Sequence, residues 1–103
     1  MKTKAVNDMY LVAALLSYGA KLDRVDRENP KRQVFYFFDN KIIVWEKVSE
    51  NIITQVEFSD LEQVEILFRS KRLMFLPDYH NFIRDTKSMI HAKWKRSDSD
   101  KEV

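Results

Sequence analysis

The segment Gln33-Val34-Phe35-Tyr36-Phe37-Phe38 constrains the fold more than any other part of the chain. Read as a strand, it places Val34, Tyr36 and Phe38 on one face and Phe35 and Phe37 on the other, so neither face is polar. Such a strand belongs in the middle of a sheet or under cover on both sides. The chain must therefore assemble layers around it, and 103 residues supply material for one core. A chain of this size buries roughly two thirds of the surface it exposes when unfolded, enough to fold without staples. None is offered by cysteine, which is absent. That excludes a disulfide framework, a thiolate zinc site, an iron–sulfur cluster and a cysteine nucleophile, and suits a reducing compartment or one where redox state is irrelevant.

The flanking elements follow from periodicity and end signals. Asn7 or Asp8 can cap a helix with Leu11, Leu15 and Tyr18 on one stripe and Val12 and Leu16 beside them, ending at Gly19, the only glycine. Leu22 and Val25 lie in a short strand-like segment, and Glu28-Asn29-Pro30-Lys31 reads as a turn. Ile42 to Val48 and Ile52 to Phe58 are β-rich runs around Ser49-Glu50-Asn51, a hairpin with Asn51 at the position that needs positive φ. Ser59-Asp60-Leu61-Glu62 reads as a capping box, with Ser59 as cap and Glu62 reaching back. Its helix carries Leu61, Val64, Leu67 and Phe68 inward. Leu73 to Leu76 can add a short strand, and Pro77 fits the first turn of a last helix with the stripe Tyr79, Phe82, Ile83, Thr86, Ile90 and Trp94. The expected fold class is α+β: an N-terminal helix, a mixed or antiparallel sheet of three to five strands, and two further helices packed on the sheet. One domain over 1–96 and a polar tail over 97–103 complete the organisation.

With these elements placed, Asp8-Met9-Tyr10-Leu11-Val12-Ala13-Ala14-Leu15-Leu16-Ser17-Tyr18-Gly19, followed by Leu22 and Val25-Asp26-Arg27, resembles the opening of a small domain-of-unknown-function family of phages and bacteria. That family begins with an Asp-x-x-Leu-Ala-Ala-x-Leu-x-x-x-Gly pattern. Phe35-Tyr36-Phe37-Phe38 is similar to its aromatic strand, Phe68 to Lys71 to its aromatic and polar link, and Phe82-Ile83-Arg84-Asp85-Thr86-Lys87 to its closing helix. The likeness covers most of residues 7 to 91. Val12 and Thr86 depart from it, and Lys41 to Glu57 is longer and richer in strand. The resemblance implies a phage or mobile-element origin and a similar fold, and carries over no catalytic residues.

Chemistry-bearing constellations are sparse. His80 and His91 stand eleven residues apart on one expected helix, roughly 16 Å at 1.5 Å per residue, too far to share a metal. Ser59 is accounted for by capping, with no histidine near it in sequence. Asp23 and Asp26 among Arg24 and Arg27, and Asp60, Glu62 and Glu65 on a helix face, read as solvated surface with local ion pairs. A single glycine excludes phosphate-binding glycine loops. No enzyme activity, cofactor or metal is expected.

What remains is binding. Phe35, Tyr36, Phe37, Phe38 and Trp45 could stack unpaired bases while Arg24, Arg27, Lys31 and Arg32 meet phosphates, although a covered strand needs the same aromatics as core. A second basic group comprises Arg69, Lys71 and Arg72, joined by Lys87, Lys93, Lys95 and Arg96 if the last helix folds back. Against both stands a net charge of only +2, from 18 basic and 16 acidic side chains that are intermixed. The expected function is a non-enzymatic interaction protein acting on a protein partner, such as a host factor, a defence complex or a virion component. A nucleic-acid-binding accessory role through Arg24, Arg27, Lys31, Arg32, Arg69, Lys71 and Arg72 is the alternative. No run reaches the roughly 20 apolar residues that span a bilayer, so the expected location is the cytoplasm, that of the host if phage-encoded.

Overall fold

The computed structural model describes residues 2–29 and 32–89. The elements run β1 (Thr3–Val6), α1 (Met9–Ser17), β2 (Leu22–Asp26), β3 (Val34–Phe38), β4 (Ile42–Ser49), β5 (Ile52–Phe58) and α2 (Leu61–Arg69), and residues 79–89 form α3. The α+β class and the three helices match expectation. A strand, however, precedes the first helix. Thr3-Lys4-Ala5-Val6 buries only Val6 and has no run of apolar residues to announce it; its place is set by main-chain pairing with β3, from Thr3 opposite Phe38 to Val6 opposite Phe35.

The strands form two antiparallel sheets rather than one: three strands in the order β1-β3-β2, and the hairpin β4-β5. β3 is central, as its composition requires. Phe35 and Phe37 are buried, whereas Val34, Tyr36 and Phe38 are half-buried, so the cover is complete on one face only. The chain leaves β3 through Asp39, whose carboxylate accepts from the Leu61 N–H at 2.8 Å. The start of α2 (Leu61–Arg69) is thus pinned to the end of β3.

Helix ends decide how the layers meet. Asp8 caps α1, its Oδ1 accepting from the N–H groups of Tyr10 (2.9 Å) and Leu11 (3.3 Å). At the other end Gly19 adopts φ +88°, and the Ala20 N–H donates to the Leu15 carbonyl at 2.9 Å, the left-handed termination that glycine permits. The same motif closes α2 without glycine. Lys71 takes φ +61° and the Arg72 N–H donates to the Leu67 carbonyl at 2.9 Å. The capping box at Ser59 is shifted by one residue: Asp60 is the cap, accepting from the Gln63 N–H at 3.2 Å, and Glu62 bonds Lys4 at 2.7 Å instead of reaching back.

Asn51 does not take positive φ, since Lys71 is the only non-glycine described residue that does. A bulge between Lys47 and Ser49 accommodates the reversal instead. Leu73 to Leu76 contributes one bridge, Leu73 opposite Glu46, rather than a strand. Pro77 lies in the turn before α3, two residues ahead of its first helical residue. Tyr79 and Thr86 are buried on α3, with Phe82 and Ile83 packed against the core. Ile90, Trp94 and the tail 97–103 lie outside the described residues. The core is continuous from Leu11 to Leu15 on α1 through Phe35, Phe37, Ile42 and Val44 to Leu61, Val64, Leu67 and Leu73.

Candidate interaction surface

Of the seven basic residues singled out from the sequence, Arg24, Arg69 and Arg72 are engaged by carboxylates. Arg24 bonds Asp23 at 2.7 Å and lies 4.1 Å over the Tyr36 ring, a cation–π contact that occupies that aromatic face. Arg27 is half-buried and its Nη2 donates to the Met89 carbonyl at 3.4 Å. Arg32 is exposed at the end of the turn, and Lys31 lies outside the described residues. In the second group Arg69 reaches Asp8 at 2.8 Å and Glu65 at 3.2 Å. Arg72 pairs with Glu46 at 3.0 Å. Lys71, exposed on its left-handed turn, makes no ion pair among the described residues.

The proposed base-stacking platform is dismantled by burial: Phe35 and Phe37 belong to the core, Tyr36 is covered by Arg24, and Trp45 sits on the other sheet. A different aromatic group reaches the surface through Phe75. Phe68 meets Phe75 edge-on at 6.3 Å, and Phe75 stacks on Tyr79 at 4.4 Å. Phe75 remains 50% exposed. An open groove of about 510 Å³ is lined by Phe68, Arg69, Lys71, Leu73 and Phe75.

This group is built by three constraints. The left-handed turn at Lys71 reverses the chain after α2. The link is then clipped to β4, with the Lys47 N–H donating to the Arg72 carbonyl at 2.8 Å and the Met74 N–H to the Trp45 carbonyl at 2.9 Å. Leu73 turns inward and leaves Phe75 outward. Finally, Tyr79 donates its hydroxyl to the Tyr10 carbonyl at 3.2 Å, which fixes the floor of the stack. Burial pushes the Tyr79 hydroxyl pKa up, and Asp8 and Tyr10 add to the rise, so it stays protonated as a donor. Phe75 had a place in no periodic stripe; its only sequence signal is that it alternates with Leu73.

A second concavity, a cleft of about 390 Å³, lies between Tyr18 to Lys21 and Asn40 to Ile43, with Glu57 and Leu61. Glu57 is the one carboxylate among its lining residues. Among the described residues no group of three or more His, Cys, Asp or Glu could hold a metal ion. His80 is exposed beside Tyr79, and His91 lies outside the described residues. No helix of the described residues is long and apolar enough to cross a membrane. No protein-family model, curated protein or solved structure matches the chain.

Proposed function

We propose that this domain is a non-enzymatic protein-binding module, of the phage or mobile-element origin that the family resemblance implies, and that its partner docks on the groove lined by Phe68 and Phe75. The observation that carries this reading is the half-exposed Phe75 ring, stacked on Tyr79 and flanked by Arg69 and Lys71. An exposed aromatic with a polar rim is the composition of an interface anchor. Ion pairing of Arg24, Arg69 and Arg72 supports a protein over a nucleic acid, because a cation already neutralised releases little counterion from a phosphate backbone.

Affinity capture with the wild-type chain and with Phe75→Asp as baits, scored by quantitative mass spectrometry, tests the proposal. A partner protein retained by the wild type and reduced at least tenfold by the variant, with melting unchanged, is the expected result. Lys71 beside an exposed ring is also the arrangement that stacks a base and meets its phosphate. Submicromolar, steeply salt-dependent binding to an oligonucleotide, abolished by charge reversal at Arg69, Lys71 and Arg72, would replace the protein partner with that reading.

A further inference from the structure

The hairpin carries a second surface, remote in character from the aromatic groove. β4 has hydrogen-bonding neighbours on both sides, because the Lys47 N–H and the Trp45 carbonyl face the link at Arg72 and Met74. Main-chain groups alternate in direction along a strand. Those of Glu46, Val44 and Ile42 therefore face β5, where they meet Thr54, Val56 and Phe58. By the same alternation the N–H and C=O groups of Ile53, Gln55 and Glu57 point to the open edge of β5, and no described residue occupies that edge.

The edge lacks the usual guards. Ile52-Ile53-Thr54-Gln55-Val56-Glu57-Phe58 contains no proline, glycine or lysine and a single charge, whereas natural edges are blunted by such residues or by shortness. Its surroundings are apolar and exposed: Ile43, Trp45 and Ile53 on the outer face, and Val48 and Ile52 at the tip, range from 40% to 55% accessible.

We propose that the occupant is a second copy of this chain, whose β5 pairs antiparallel with the first about a two-fold axis through Gln55. The alternation restricts the allowed registers, and the one centred on Gln55 is the one that pairs all seven residues. It sets Gln55 opposite Gln55 and each Glu57 opposite the other copy's Ile53, so the two glutamates lie about 13 Å apart along the strands rather than face to face. Lys47, the hairpin neighbour of Ile53, falls in the same cross-strand row as the other copy's Glu57, an opposite charge. On the inner face each exposed Ile52 lies opposite the other copy's Phe58. Charge and apolar surface are both self-complementary, as an isologous contact requires.

The test uses the full chain. Sedimentation equilibrium of the wild type is expected to show a reversible dimer. Ile53→Asp faces Lys47 within its own hairpin but confronts Glu57 across the axis, so it is expected to weaken association at least tenfold. The double variant Ile53→Asp, Glu57→Lys is expected to restore it. Because the chain has no native cysteine, Gln55→Cys reports the register directly: paired Cα atoms near 5.5 Å permit a disulfide, and Glu57→Cys, about 13 Å from its mate, does not. A wild-type monomer at concentrations up to about 1 mM, a range that reveals any dissociation constant below millimolar, would overturn the proposal and leave the edge to a strand of another protein. Equal cross-linking at residues 55 and 57 would overturn the register and the two-fold axis with it.

Discussion

The main-chain N–H of Trp45 donates to the Tyr18 hydroxyl across 3.3 Å, and that hydroxyl donates in turn to the Met74 carbonyl. One phenol at the end of α1 thus joins the helix to the hairpin and to the link that presents Phe75. Burial pushes its pKa up, and the Trp45 hydrogen bond offsets part of the rise.

Tyr18→Phe removes both bonds and leaves a donor and an acceptor to find water. We expect it to cost about 1–3 kcal/mol, against about 0.5–1.5 kcal/mol for Tyr79→Phe, which breaks one bond. Urea denaturation of the two variants gives the order. A Tyr79→Phe loss as large as that of Tyr18→Phe would contradict it.

Phe37 is fully buried in the central strand and pairs across β3 with Lys4 and Leu22. Phe37→Ala should cost about 3–5 kcal/mol, a large part of the roughly 5–15 kcal/mol available to a domain. Thermal melting that stays within a few degrees of wild type would mean that the ring is not in the core.

Lys4 joins Glu62 and Glu65 at 2.7 Å each. The hydrogen bond from Lys4 holds the Glu65 carboxyl below its usual range; burial opposes this, and Arg69 reinforces it. A depressed carboxyl stabilises the fold fully above its unfolded pKa, about 4.3, and the contribution is lost as pH falls through the folded value. Glu65→Gln should therefore be less stable than wild type at pH 7, with the gap closing as the pH drops below about 4. Denaturation across that range checks the prediction, and a gap independent of pH would show that charge is not its source.

The two left-handed helix ends make opposite predictions. A Cβ at residue 19 would meet nothing within 4 Å, so Gly19→Ala should cost only backbone strain, about 1–2 kcal/mol. Lys71→Gly should gain a comparable amount at φ +61°, less the added flexibility of the unfolded chain. Differential scanning calorimetry should show shifts of opposite sign.

What was legible in the sequence was local. Asp8 caps its own helix, Gly19 ends it, Asp23 pairs with the adjacent Arg24, and β4 and β5 meet across a short turn. What escaped was decided at long range. β1 is a strand because β3 offers it an edge, and Asp60 displaces Ser59 as cap while Glu62 turns to Lys4. Arg69 has Glu65 one helical turn before it, but the fold also brings Asp8 against it from 61 residues away. The aromatic groove escaped for the same reason, since Phe75 belongs to no repeat and its exposure follows from the clip between β4 and the link.

The placement of β3 also sets an order of events during synthesis. Thr3 and Lys4 pair with Phe38 and Phe37, so the first strand made cannot dock until the third has left the ribosome, and α1 has no sheet to cover before then. The β4–β5 hairpin needs only its own turn and forms early once its residues appear. Closing the long loop from β1 to β3 is the slower step, and until it is complete the nascent chain carries Phe35 and Phe37 uncovered, in need of shelter from other chains.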